Sequence, residues 1–486
     1  MFADAVVAEG GPGSTAVAAG SSQAAATAAA ILQLGGNAID AVTAAGFATP
    51  MCEPVLSSLA GGGFCLYAPA NAEPKLLDFF VDVPGLGGMP DSPMVETVTV
   101  KFGNTAEQVF HAGWGTVATP GCFAGYLDMH RRWGRLPLAE VLAPAIELAA
   151  SGLHLDPIQI RFLDVVAPIL ELTEHSASIF TSHDGLFTNH EYRRLLTDLA
   201  QGDIEGAYDS AYISSVSNAV RKGGGVLSSE DMRNYRPMLR DPLRTTHSGA
   251  QVWTNPPPSF GGSIVSDALD RIARAQSSSW ETVVDALEDA TSAQRKVTDV
   301  TEGTTHISVL DASGGMAALS VSNGAGSGTV VDGIQLNNML GEEDLNTAIQ
   351  TSGIGAIHEL QPGTRMGSMM APTITELRDG SRIALGTGGS ERIRSAVTTT
   401  LTRVIDLRMA LDDAVAAPRL HVANGQVDLE PGLLQFRRIP EFAGRPARVW
   451  PTRDLYFGGV HAVMKRKDGS VLAVGDPRRG GSVAVD

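Results

Sequence analysis

Between residues 21 and 49 the chain reads SSQAAATAAAILQLGGNAIDAVTAAGFAT, almost wholly small and apolar, dominated by alanine and interrupted by Gly35 and Gly36. Alanine loses least on entering a helix and paired glycines break one, so the pattern predicts two helices joined by a tight turn. FCLYA (64–68) is a shorter apolar run behind three glycines, Gly61 to Gly63, and reads as a buried strand fed by a loop. From 119 to 152 apolar positions recur at helical spacing between Pro120 and Gly152, and mostly helical structure is expected to continue to about Gly223. Residues 224–270 break into short polar segments around NPPPSFGG (255–262), where stacked prolines and glycines predict a loop near a surface or cleft. The stretch 271–303 reads as helix in its middle and as a polar, exposed connector at its end. THISVLDASGGMAALSVSN (305–323) then changes to two apolar strands about a DASGG turn, a hairpin pattern. No repeat of solenoid period is evident. The opening GGPGSTAVAAG lacks a Gly-Lys-Ser/Thr and a clear preceding strand, so it reads as a flexible lead-in rather than a phosphate loop.

Composition narrows the partners. A chain of 486 residues, 43% hydrophobic and 18% charged, can bury a large core. Its formal net charge of -17 argues against nucleic acid or an anionic membrane surface, leaving small molecules or proteins. Cys52, Cys65 and Cys122 have no paired spacing, which predicts small buried residues rather than disulfides or a zinc knuckle. Eleven dispersed histidines without a His-Glu-x-x-His predict no metal site, and no cofactor is expected. The N-terminal stretch lacks a basic, then uninterrupted apolar, signal pattern, so a cytoplasmic location is the default expectation.

Candidate chemistry centres on TEGTTHISVLD (301–311), a strand pattern that begins with Gly303, Thr304 and Thr305 instead of bulky apolar residues. A threonine hydroxyl is a weak nucleophile until a base takes its proton, and an N-terminal threonine carries its own base in its α-amino group. That amine titrates at about 7.7 to 8.0, close to working pH. The scheme requires the Gly303–Thr304 bond to be broken, and glycine there permits the strained conformations in which Thr304 could attack the preceding carbonyl. Standing alone, Gly-Thr-Thr is more often a plain strand start.

Its surroundings change that reading. GGNAIDAVTAA, EPVLSSLAGGGF, ATPGCFAGY, PPPSFGG, GTTHISVLD, LNN, SMMAPT, GTGGSERI and APRLH follow one another along the chain, ending in GDPRRGGSVAVD. As an ordered set they resemble the gamma-glutamyltransferase family of N-terminal nucleophile hydrolases over nearly the whole length. The resemblance implies an α+β fold, a four-layer αββα sandwich, made as one precursor that cuts itself before Thr304. It implies a large subunit of residues 1–303 and a small subunit of 304–486, with both building one domain. It further implies an oxyanion hole at Gly388 and Gly389 or, in an ungapped alignment, at Gly389 and Ser390. Ser322, or Ser320 in the other register, would match the family's supporting threonine, and Asn323 its substrate-contacting asparagine. Thr305 and His306 would hold the strand rather than perform chemistry.

The pocket residues depart from the pattern. The family's α-carboxylate-binding arginine follows LDF, where this chain has Phe80, and loss of such a charge-assisted fork removes a few kcal/mol of recognition. The aspartate that meets the α-amino group becomes Glu342, with Met339 in place of a polar neighbour, and the adjacent serine pair becomes Ser368–Met369. Three functions follow as expectations. The chain could cleave γ-glutamyl or related amides through an acyl-enzyme passed to water or an amine, recruiting another cation such as Arg365 or Lys101. It could be an amidohydrolase acting on a non-γ-glutamyl donor, or a non-catalytic binding relative.

Overall fold

The structure is a computed structural model that describes residues 4–90, 92–102, 106–180, 186–202, 208, 212–294, 303–342, 354–434 and 440–486. Two seven-stranded sheets form its centre. One runs, edge to edge, Val6–Gly10, Val471–Gly475, Gly459–Lys465, Arg382–Gly388, Thr373–Glu376, Ala250–Thr254 and Leu243–His247. The other runs Ser482–Val485, Ala16–Ala19, Gly303–Leu310, Met316–Gly324, Gly62–Ala68, Lys75–Phe79 and Met238–Arg240. All neighbouring strands in both pair antiparallel.

The alternation of side chains explains the layers. In Gly303–Leu310, Ile307 and Val309 join the core beneath helices Ser22–Gln33 and Ala38–Cys52. His306 points the other way, against Gly386 in the facing sheet, where an added Cβ would come within 2.4 Å of the imidazole. Likewise Val17 and Ala19 face the helices while Ala16 and Ala18 face the first sheet. Period-two alternation of this kind fixes which face each residue serves. Helices Gly261–Ala275, Trp280–Gln294 and Arg392–Ile405 cover the outside of the first sheet, completing an αββα sandwich.

Local signals account for the elements that carry the site. Asn37 caps the helix Ala38–Cys52, accepting from the Ile39 and Asp40 amides while the Asp40 carboxylate accepts from the Asn37 amide, the reciprocal capping arrangement. The DASGG turn is held by Asp311, whose Oδ1 accepts from the Ser313 and Gly315 amides, each at 2.9 Å. Its Oδ2 accepts from the Ala38 amide at 3.0 Å, tying the hairpin to the helix start.

Two expectations are corrected. The opening residues are not a flexible lead-in: Val6–Gly10 pairs with Val471–Gly475, and Ala16–Ala19 lies between Gly303–Leu310 and Ser482–Val485. Small residues, several of them alanine, hid a strand that is buried on both faces. Residues 261–270 are helical, not short polar segments, because Ile264, Val265, Ala268, Leu269 and Ile272 recur at helical spacing and bury one face of the helix Gly261–Ala275. The connector expected upstream of Gly303 falls at 295–302, outside the described residues. All three cysteines are free and buried. Among the described residues no helix is long and apolar enough to cross a membrane.

Candidate active site

Thr304 lies at the mouth of the hairpin, opposite Ser322 across the ladder, with a register irregularity between Gly303 and Thr304. The irregularity is local to the bond of interest, and bulges of this kind re-aim side chains. The Ser322 hydroxyl donates to the Gly303 carbonyl oxygen and accepts from the Gly324 amide at 3.1 Å. Ser320, the other register candidate, is instead opposite His306 and meets its Nδ1 at 2.8 Å. His306 Nε2 meets the Ser308 hydroxyl at 2.9 Å, and that hydroxyl donates to the His461 carbonyl. Burial holds the His306 imidazole well below the usual histidine range, with His461 adding to the effect.

Glycine is required around Thr304. A Cβ on Gly388 would lie 2.0 Å from the Thr304 carbonyl oxygen, so only glycine lets the end of Arg382–Gly388 approach this closely. Gly389 (φ 127°) and Ser390 (φ 50°) then turn the chain into the helix Arg392–Ile405, and the Gly389 carbonyl accepts from the Arg392 amide at 2.9 Å. The helix therefore begins, with the positive end of its dipole, directly after the turn that abuts Thr304.

A narrow cleft, partly open to solvent, is lined by Phe80, Thr304, Ser322, Met339, Ser368, Met369, Met370, Ser390 and Ile393. It therefore gathers seven of the sequence-predicted residues and positions: Phe80, Thr304, Ser322, Met339, Ser368, Met369 and Ser390. Phe80 is held by stacking on Phe64, ring centroids 5.6 Å apart. Ser368 is placed by the loop at 255–260: its carbonyl accepts from the Phe260 and Gly261 amides and from the Ser259 hydroxyl at 2.7 Å. That loop forms part of the cleft's support, as its prolines and glycines predicted.

Other expected residues stand behind the lining. The buried Asn323 donates to Gln335 Oε1 at 3.2 Å, and Glu342 accepts from the Ala325 amide at 3.2 Å. Gly388 and Gly389 border the cleft through the backbone beside Thr304 and Ser390. Arg365 is committed elsewhere, paired with Asp82 at 2.5 Å and Asp78 at 2.6 Å and lying over the Tyr235 ring. Lys101 is exposed on Glu96–Phe102 and lines no part of the cleft.

Sequence reasoning missed Met370 and Ile393 as lining residues. Met370 continues the SMM run, and Ile393 is in the first turn after GTGGSER, so both were adjacent to recognised motifs. It also missed Glu53 and Arg479, both buried close to the strand. A Cβ on Gly388 would be 3.0 Å from Arg479 Nη1, a proximity that no linear pattern announces. Among the described residues no group of three or more His, Cys, Asp or Glu is arranged to hold a metal ion.

An αββα sandwich with a Gly-Thr-Thr strand facing a glycine turn defines the N-terminal nucleophile hydrolase class, and the comparisons agree with that architecture. The solved cephalosporin acylase from Bacillus halodurans superposes with a TM-score of 0.79 at 21% identity, covering 100% of this chain and 97% of that one. The gamma-glutamyltranspeptidase family model matches residues 24–301 and 266–486, and the chain belongs to that family. It is similar to the Acylase ACY 1 proenzyme of Pseudomonas sp. (strain V22), 26% identical over 91% of this chain and 88% of the relative. It is also similar to the glutathione hydrolase proenzyme of Escherichia coli (strain K12), 24% identical over 92% of this chain and 87% of the relative. The family's members are enzymes, acylases and hydrolases among them.

Proposed function

We propose that this chain is a self-cleaving N-terminal threonine hydrolase or acyltransferase, with Thr304 as nucleophile and an acyl donor whose head is apolar and uncharged. Scission begins when the Thr304 hydroxyl oxygen bonds to the Gly303 carbonyl carbon and the C–N bond breaks, giving an ester and a free α-amine. Water then opens the ester, leaving the Gly303 carboxylate on residues 1–303 and a free hydroxyl on 304–486. The names of the two relatives, both proenzymes, support a precursor.

In turnover the free amine takes the hydroxyl proton as oxygen attacks the substrate amide, and returns it to the departing amine. The amides of the Gly388–Ser390 turn would receive the developing oxyanion, an interaction worth several kcal/mol when the donors are preorganised. Water or an amine then takes the acyl group from Thr304.

The single observation that carries the donor assignment is the cleft lining at Thr304: Phe80, Met339, Met369, Met370 and Ile393, with no lysine or arginine among the lining residues. Arg365, the nearest expected substitute, already serves two carboxylates. A free α-carboxylate would enter this space without a cationic partner, with only the serine hydroxyls to meet it, which costs several kcal/mol. A γ-glutamyl donor is the second reading, favoured by Glu342, whose buried carboxylate beside Gly324 could meet an α-ammonium group.

Matched anilides of γ-glutamyl, glutaryl and hexanoyl acids test the assignment, using protein whose mass confirms scission before Thr304. We expect the largest kcat/KM for hexanoyl. A preference for γ-glutamyl would reject the apolar donor and return the enzyme to the family reaction.

A further inference from the structure

Two buried charged groups with no part in the acyl-transfer chemistry, Glu53 and Arg479, flank the nucleophile strand. Glu53 follows the helix Ala38–Cys52 and is fully buried, and among the described residues neither carboxyl oxygen has a hydrogen-bond partner. A buried carboxyl without partners is costly, so its presence needs a reason. Burial pushes it up to about 7, against the opposing influence of the Thr305 and Ser21 hydroxyls and of Arg479; Asp156 acts with burial.

Its location supplies the reason. Thr305 shares the helix-facing side of Gly303–Leu310 with Ile307 and Val309, and its hydroxyl lies close enough to act on the Glu53 carboxyl without a formed hydrogen bond. The segment that Glu53 begins then runs beneath the scissile bond: a Cβ on Gly303 would lie 3.0 Å from the Val55 carbonyl oxygen and 3.5 Å from Leu56 Cα. Thr305, the neighbour of this carboxyl, directly follows Thr304, whose peptide nitrogen scission converts into a cation. In the uncut chain that nitrogen is a neutral amide, and the cation that acts on the carboxyl is Arg479, which makes no hydrogen bond to it.

We propose that Glu53 is a positioning residue of the cut enzyme, its carboxylate receiving the α-ammonium group that scission frees on Thr304. The proposal rests on Thr304 being the N-terminal nucleophile and adds how the new chain end is held. Arg479, Asp156 and the Cys52 thiol also face this carboxyl. Arg479 Nη1 has no hydrogen-bond partner among the described residues and is too close to Thr304 for a second cation to be neutral in effect. Glu53 offsets that repulsion and fixes the amine near the hydroxyl it must deprotonate.

The experiment measures the protonation of the Thr304 amine directly, by its rate of carbamylation with cyanate between pH 5 and 10, read by peptide mass. In cut wild-type protein the midpoint is expected above that of Glu53→Gln by about one unit, the effect of one close opposite charge. The acidic limb of kcat/KM should move down with it, and Glu53→Asp should fall between the two. Equal midpoints in cut, folded wild type and Glu53→Gln overturn the proposal while leaving Thr304 as nucleophile. A wild-type chain that never opens before Thr304 overturns both readings. Should Glu53→Gln fail to fold or open, a crystal structure of cut wild type decides. A Glu53 oxygen within about 3.2 Å of the Thr304 nitrogen is the expected result, and one beyond hydrogen-bond reach overturns it.

Discussion

The Ser322 hydroxyl donates a hydrogen bond to the Gly303 carbonyl oxygen, the oxygen that would carry negative charge if Thr304 attacked this peptide. The bond is made in the uncut chain, so the donor is in place before reaction, as preorganised stabilisation requires. Ser322→Ala is expected to slow scission about 100-fold, the usual loss for one oxyanion donor, while Ser322→Thr retains most of the rate. Intact mass against time after synthesis checks both. An alanine variant that opens at the wild-type rate would remove Ser322 from the processing chemistry.

Thr304→Ala should leave the chain whole and inactive because hydroxyl and latent amine are lost as a catalytic pair. Thr305→Ala should still open, since that side chain faces the helices. Mass spectrometry separates the outcomes, and turnover by an uncut Thr304→Ala protein would place the nucleophile elsewhere.

Gly388→Ala forces a methyl group to within 2.0 Å of the Thr304 carbonyl oxygen, and both contacting groups are backbone in buried sheets. Neither can move far, so the variant should fold with lower stability and lose turnover by at least about 100-fold. The contrast is Gly380→Ala, where nothing lies within 4 Å but φ is 91°. It should cost about 1 kcal/mol of stability and leave turnover intact. Equal activity loss in the two would show that backbone strain, not the approach to Thr304, governs the effect.

Phe80→Arg puts a guanidinium at the cleft wall in place of a ring stacked on Phe64. A charge-assisted bond to a donor carboxylate contributes about 1.5–3 kcal/mol, so the γ-glutamyl to hexanoyl ratio of kcat/KM should rise at least about tenfold, mostly through KM. Thermal stability should fall, since the stack is lost. Arg365→Met makes the useful comparison: it strands Asp82 and leaves Asp78 with Arg240 alone, should cost about 3–5 kcal/mol, and should leave the donor ratio unchanged. A changed ratio would mean Arg365 reaches substrate after all.

These residues also show what could be read without coordinates. The hairpin at 305–323, the pair of alanine-rich helices about Gly35–Gly36 and the gathering of Phe80, Thr304, Ser368 and Met369 were legible because turn chemistry, helix propensity and ordered motifs are local or linear signals. The strand Ala16–Ala19 was not, because alanine reads as helix former and only its neighbours on both edges make it a strand. Glu53 was equally hidden: it is separated from Thr305 by some 250 positions of sequence, and its burial is a property of three packed layers. Asn323 and Glu342 follow the expected motifs, yet the structure turns both toward their own loop, a packing choice that spacing does not encode.

Acid should unfold this protein earlier than its carboxylates alone would require. Burial holds His306, His421 and His461 below the usual range, His461 at about 4 despite the opposing pull of Asp476, so all three are neutral in the fold near pH 6. Unfolded, they titrate at about 6.5. The unfolded chain therefore binds more protons below that pH, and the stability these groups contribute is fully present above 6.5 and lost as pH falls. Glu53 works in the opposite sense: raised to about 7, it is protonated in the fold first, and its contribution is present at low pH and lost as pH rises through 7. Three histidine protons against one carboxyl leave a net of about two near pH 5, a slope of roughly 3 kcal/mol per pH unit. Urea unfolding of uncut Thr304→Ala at pH 7, 6 and 5 measures it, with Glu53 still unpaired. A stability unchanged between pH 6 and 5 would mean that these imidazoles are charged inside the fold, and that the neutral His306 bonded to Ser320 and Ser308 is not the state that supports the nucleophile strand.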